Sequence, residues 1–286
     1  MHKIILFIKS YRPDFERAKN LVQSIYKYNR DNIPLYISVN DVDYEFFKHN
    51  LPADVNLLKD SDIVECQTKN SWIYQQVVKS QVHKLKVCEN YLCIDSDAEF
   101  IKDFFISDFM YNDQTPYTIM HESKDMLESM EIIKRKSVDA FYKEALRALR
   151  DYWGGSGKEW DYGPTPFIWS TKVWEHLENN FLIPNQLTFE SFLFFLEDRS
   201  KKGPSEYTIY GEYLFKTRLI DIIPIQPLFK VYHFHEQYKM ESCYNTIDKL
   251  RVNYLGIVKQ SSWKQPALRP SFKTSLKLKI ASVLLK

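Results

Sequence analysis

The chain has 286 residues, 44% of them hydrophobic and 27% charged, a balance that excludes wholesale disorder. Thirty-nine basic residues against 37 acidic ones give a formal charge of +2, so no overall field marks a nucleic-acid partner. Aromatic residues at 15% permit stacking on sugars and bases without demonstrating it.

Lys3 to Ile8 is a short apolar run closed by Lys9-Ser10-Tyr11-Arg12-Pro13 and predicts a buried strand entering a loop. Asp14 then caps a helix whose apolar face is Phe15, Ala18, Leu21, Val22 and Ile25. Leu35 to Val39 predicts a second strand ending at Asn40-Asp41-Val42-Asp43. Asn70-Ser71 opens a helix that carries Gln75, Gln76 and Lys79 and runs to about Val87. Tyr91 to Ile94 is the next apolar run and stops at Asp95. Alternating strands and helices of this length predict an α/β fold with a mostly parallel sheet flanked by helices. Ligands of such sheets bind beyond the carboxyl ends of the strands, so the loops at 9–12, 40–43 and 95–97 should converge.

Beyond Asp97 the periodicity loosens. Lys124 to Arg150 reads as helical, and four of the seven glycines fall between Gly154 and Gly163. Strand, helix and helix are expected at 167–169, 171–177 and 187–196. Ser205-Glu206 should cap a helix to about Leu214, and late strands are expected at 220–224 and 228–234. The segment 271–286 alternates Lys with apolar residues; it suits a C-terminal amphipathic helix lying on an anionic membrane surface or one docked on the body. The apolar part of the N-terminus is too short for a signal peptide, and no stretch approaches the roughly 20 apolar residues of a membrane span. Cys66, Cys88, Cys93 and Cys243 have no zinc-finger or CxxC spacing, which favours a reduced, cytoplasmic chain.

Asp-x-Asp occurs three times, at 41–43, 60–62 and 95–97, so spacing alone selects none of them. Context selects Asp95-Ser96-Asp97, because it follows four apolar residues and so stands where a buried strand emerges. Two carboxylates there repel unless a cation is present. Magnesium or manganese fits, since these ions take few protein carboxylates and complete their shell with phosphate and water.

The segment Tyr-Leu-Cys-Ile-Asp-Ser-Asp, after a helix with Gln75, Gln76 and Lys79, resembles the donor-binding core of GT-A-fold glycosyltransferases. Trp160-Asp161-Tyr162-Gly163-Pro164, the run 205–211 and Tyr232-His233-Phe234-His235 resemble a bacterial group of such enzymes found with polysaccharide-assembly genes. The resemblance covers residues 3 to 240. It implies a sugar transfer from a nucleotide diphosphate donor, a UDP-sugar by preference, to a hydroxyl of a glycan or lipid-linked glycan. It places Ser10, Tyr11 and Asp41 at the base and ribose, with Asp41 equally suited to a turn. It places Gln76, Lys79, Asp95 and Ser96 at the donor, with Lys79 either facing phosphate or simply exposed on its helix. Asp95 and Asp97 become metal ligands.

His233 and His235 are expected to alternate on a late strand, and the resemblance makes His233 the third metal ligand. It also makes Glu206 the base of an inverting transfer, with Asp198 close by as an alternative. Trp160, Asp161 and Gly163 suit the acceptor: an acid for sugar hydroxyls beside an indole for a sugar face. The expected organisation is a catalytic domain over 1–240, its donor half 1–110 and acceptor half 111–240, and a helical extension over 241–286. Two rivals are a phosphohydrolase with an aspartyl nucleophile and a noncatalytic carbohydrate-binding protein. Against the phosphohydrolase, the Asp motif is not on the first strand and position 99 is Glu.

Overall fold

A computed structural model describes residues 1–132, 137–200 and 203–260. The first half runs β1 (His2–Ser10), α1 (Phe15–Tyr28), β2 (Leu35–Val39), α2 (Tyr44–Asn50), β3 (Asn56–Lys59), α3 (Ser71–Ser80), β4 (Cys88–Asp95), β5 (Ala98–Phe100) and β6 (Thr118–Ile119). The second half runs α4 (Lys124–Ile132), α5 (Ser137–Trp153), β7 (Phe167–Ser170), α6 (Thr171–Leu177), α7 (Phe189–Glu197), α8 (Glu206–Thr217), β8 (Pro224–Ile225), β9 (Phe229–Tyr232), α9 (His235–Glu241), α10 (Ile247–Asn253) and β10 (Gly256–Lys259).

The main sheet has the order β3-β2-β1-β4-β7. Its first four strands are parallel, and β7 closes the edge antiparallel to β4. The α/β architecture with a mostly parallel sheet is thus as expected from the alternation of periods. Strand β1 is buried on both faces, which explains its unbroken apolar run. Ile4, Leu6 and Ile8 face one core with Leu21 and Ile25 of α1, while Ile5 and Phe7 face a second with Val77 of α3, Trp174 of α6 and Leu214 of α8.

Helix α3 begins as predicted: Asn70 Oδ1 accepts the N–H groups of Trp72 and Ile73 at 3.0 and 3.3 Å. It stops at Ser80 rather than near Val87, and a tight 3₁₀ turn over Val82–Leu85 leads into β4. Asp14 does not cap α1; its carboxylate accepts from Arg17 Nη1 at 2.9 Å instead. The expected long helix over 124–150 is two helices, α4 and α5.

A second sheet, β5-β10-β9, packs on the α1 side, with β10 antiparallel to β5 and parallel to β9. Leu250 and Ile257 bury against Ile101. The packed body therefore continues to Lys259, and a boundary at 240 would cut through it. The helix expected over 271–286 lies outside the described residues. Among the described residues no helix is long and apolar enough to cross a membrane.

Candidate active site

The chain runs outward from β1 to β2 and β3, then returns to place β4 on the other side of β1. That reversal separates the loops after β1 and β4 and opens a crevice beyond their carboxyl ends. Lys9 and Asp95 are register partners there. The crevice has two contiguous lobes of about 790 and 630 Å³, which share Asp95, Phe167, Tyr207 and Gln260. Phe167 and Tyr207 stack at 5.0 Å between ring centres.

The larger lobe is lined by Ser10 and Tyr11 after β1, by Asn40 after β2, by Trp72 and Gln75 of α3, and by Asp95-Ser96-Asp97. The Ser10 hydroxyl is buried and has no hydrogen-bond partner among the described residues. At the lobe's base Lys79 Nζ lies 2.6 Å from Asp95 Oδ1 and 3.1 Å from Glu206 Oε1. Lys79 and Glu206 side chains are only 4% and 6% exposed, whereas that of Asp95 is 33% exposed. Burial alone would lower the lysine pKa, but the two carboxylates raise it well above its ordinary value, so the ammonium is retained. Burial pushes the Glu206 carboxyl up, against the opposing pull of Lys79.

Several expected site residues have other partners. Lys79 is not simply exposed on its helix: it is buried at the base of the larger lobe and bridges two acids. Gln76 does not face the lobe: it is 1% exposed, its Oε1 accepts Glu206 N–H at 2.9 Å, and its Nε2 donates to Trp72 O. Gln75, one residue earlier on α3, lines the lobe instead. Asp41 accepts Ser61 N–H at 3.3 Å and Ser61 Oγ–H at 2.6 Å, so it ties two loops, and Asn40 takes the lining position. Asp198 is exposed at the end of α7, outside both lobes.

The remaining Asp-x-Asp copies serve the scaffold. Asp43 accepts Arg12 N–H at 2.9 Å, and the fully buried Asp60 pairs with Lys9 at 3.0 Å and accepts from Ser38 Oγ. Burial lowers the Lys9 pKa, and Asp60 opposes that shift. Asp62 accepts Lys59 N–H at 2.9 Å.

The smaller lobe is lined by Trp160 and Asp161, together with His121, Ser123, Asp125 and His233. Asp161 accepts from Ser123 Oγ and from Gly163 N–H at 2.9 Å. Gly163 itself is behind the lobe, where a Cβ would meet the Tyr207 ring at 3.0 Å. Strand β9 ends at Tyr232 and α9 begins at His235, so the two histidines do not alternate on one strand. Burial lowers the His233 pKa to about 4, and the charged groups that face it are Asp125, Asp161 and Lys230. Among the described residues no three His, Cys, Asp or Glu side chains are grouped to hold a metal, so His233 does not complete a set with Asp95 and Asp97. Nothing in the spacing of His121, Ser123 and Asp125 marked them, since the segment meets Asp161 through tertiary contacts, a backbone bridge between His121 and Asp161 and the Ser123 hydroxyl.

No curated protein matches the sequence. Among solved structures the fold resembles mouse xyloside xylosyltransferase 1 in its apo form, at 8% identity over 92% of this chain and 100% of that one, TM-score 0.50. It also resembles the bifunctional glycosyltransferase WbbM, at 14% identity over 91% of this chain, TM-score 0.51; this chain covers 46% of WbbM. Likeness at such identity shows a shared GT-A-like fold. A family model matches residues 3–244, nearly the whole described body, and the chain belongs to the Family of unknown function (DUF6492).

Proposed function

We propose that the chain is a glycosyltransferase that moves a sugar from a nucleotide diphosphate donor, a UDP-sugar by preference, to a hydroxyl of a bacterial glycan or glycolipid. The observation that carries this reading is the position of Asp95. It ends a buried strand, remains one-third exposed, and stands where two contiguous lobes meet. One lobe then holds the nucleotide diphosphate and the other the acceptor, with the reacting carbon between them.

In this reading Ser10, Tyr11 and Asn40 receive the base and ribose. The buried, unsatisfied Ser10 hydroxyl supports a polar ligand at that point. Asp95 and Asp97 would hold a divalent cation. Two carboxylates at one strand end fit magnesium or manganese, which share their shell with phosphate oxygens and water. Such an ion stabilises the departing diphosphate. Lys79 fixes the Asp95 carboxylate and balances its charge. Glu206 is the proposed base for the acceptor hydroxyl, supported by the raised proton affinity that burial gives it and by its place beside Tyr207 at the junction. Trp160 and Asp161 face the acceptor sugar.

Metal-dependent hydrolysis of UDP-sugars without acceptor, abolished by Asp97→Ala, is the expected result. Absence of both turnover and metal-dependent UDP binding across a donor panel would overturn the reading.

A further inference from the structure

The smaller lobe has a charge pattern that restricts its ligand. Its lining carries four carboxylates, Asp95, Glu122, Asp125 and Asp161, against one ammonium, Lys124. Lys79 and Lys230 pair with Asp95 and Asp125 from the buried side at 2.6 and 2.8 Å, while the half-exposed Lys158 pairs with Glu122 at 2.8 Å, which Lys124 also approaches at 3.7 Å. Two of these lysines are shared with further acids: Lys79 with Glu206, and Lys230 with Glu241 at 3.0 Å. Carboxylates therefore remain in excess at the wall and just beneath it.

The two histidines do not correct the balance. His121 Nδ1 accepts Ser123 N–H at 3.1 Å while its Nε2 donates to Gly163 O, which is the pattern of a neutral ring. His233 is kept neutral by burial, and its ring makes no hydrogen bond among the described residues, although it lines the lobe. A neutral imidazole offers one donor and one acceptor, a match for a sugar hydroxyl. Trp160 and Tyr254 supply flat apolar surface on the same lining.

We propose that this lobe binds an uncharged carbohydrate and discriminates against sugars that carry a carboxylate or phosphate. The inference rests on the transferase reading for its meaning as an acceptor site, but the binding preference can be measured without turnover. Away from Asp95, a buried anion here would face Glu122, Asp125 and Asp161 with Lys124 as the one ammonium on the wall, and that lysine already lies 3.7 Å from Glu122, whereas hydroxyls donate to carboxylates and to His233 without such repulsion.

The test is ligand-observed NMR on the full chain with three matched methyl glycosides: a neutral hexoside, its uronate and its 6-phosphate. The neutral glycoside should bind at least about tenfold more tightly than either anion. The gap should narrow in Glu122→Gln, whose side chain is 38% exposed and removable without disturbing the core, and in Asp125→Asn. Equal or tighter binding of the anions, an unchanged gap in both variants, or no binding of any glycoside overturns the proposal. UDP titrated into the same samples separates the two readings. Neutral sugar binding without any nucleotide binding removes the transferase and keeps the lobe's preference, while nucleotide binding with anion preference does the reverse.

Discussion

The side-chain carbonyl of Gln76 accepts the main-chain N–H of Glu206 at 2.9 Å, joining α3 to the first turn of α8 across 130 residues. An orphan N–H at a buried helix start is thereby satisfied by a neighbouring helix, since Ser205 makes no capping bond with its side chain. Gln76→Leu keeps the volume and leaves that N–H without an acceptor, which should cost about 1–3 kcal/mol in urea unfolding. The same variant should lower kcat more than it raises KM, because it releases Glu206 rather than a substrate contact.

Lys79→Met should be the more damaging change. It leaves Asp95 and Glu206 as adjacent carboxylates without their cation, and breaking a buried pair in this way costs about 3–5 kcal/mol. The wild-type contribution of a lysine whose pKa is raised on folding is fully present below about pH 10.5 and lost as pH rises through the higher folded value. In the variant, protonation of Glu206 relieves the repulsion. The stability deficit measured at pH 8 should therefore shrink toward pH 5.

The three Asp-x-Asp copies can be told apart by ligand. Asp97→Asn should remove manganese-dependent stabilisation by UDP in thermal shift. Asp62→Asn and Asp41→Asn should retain it, since Asp62 accepts Lys59 N–H and Asp41 holds Ser61. A UDP-induced shift of the same size in all three variants would remove the metal role from 95–97.

Acid stability has a separate origin at Glu178. The His83 ring nitrogen Nε2 is 2.6 Å from its carboxylate and Lys84 adds a second contact, which together hold the Glu178 pKa down to about 2. A carboxyl lowered on folding stabilises above its unfolded value near 4.5, and that contribution disappears as pH falls toward 2. Allowing for solvent screening of a partly exposed pair, Glu178→Gln should cost about 1 kcal/mol at pH 6 and nothing near pH 2. Urea midpoints across that window read the difference directly.

Gly211 lies inside α8, where alanine would ordinarily add about 1 kcal/mol of stability. A Cβ at that position would fall 2.0 Å from the Tyr162 ring, whose hydroxyl is held by Glu212 at 3.0 Å while Arg150 clamps the same carboxylate. The ring has no simple escape, so steric cost prevails. Gly211→Ala should destabilise by about 2–3 kcal/mol, with a lowered Tm and unchanged far-ultraviolet circular dichroism.

The β1-α1-β2 and α3-β4 units were legible because each carries an unbroken local period, and the crevice followed from strand ends. The place of Asp95 at a strand end was legible for the same local reason. β3, β5 and β10 were not, because each has only three or four residues and is stabilised by partners distant in the chain; Ile257, for instance, pairs with Glu99 and Lys230. The difference between Gln75 and Gln76 is a matter of helix phase, which decides that one lines the lobe and the other binds Glu206. Asn40 and Asp41 differ in the same way at a turn. Asp198 was expected as an alternative base near Glu206, yet the helix end turns it to solvent. The order of charges around Lys79 brings together residues 79, 95 and 206, and no sequence period encodes such a meeting.

The insertion of β10 between β5 and β9 sets an order of events during synthesis. Lys259 donates its N–H to Asp97 O at 3.1 Å, and Gly256 packs so closely on Phe229 that a Cβ would stand 2.3 Å from the ring. A nascent chain can assemble β1, β2 and β4 early, but the backbone beside the Asp motif gains its last support only after residue 259 has emerged. Until then Phe100 and Phe229 lack their central strand and leave apolar surface open to aggregation or chaperones. A chain stopped at residue 240 should thus keep the outline of the main sheet and fail as a folded, soluble product.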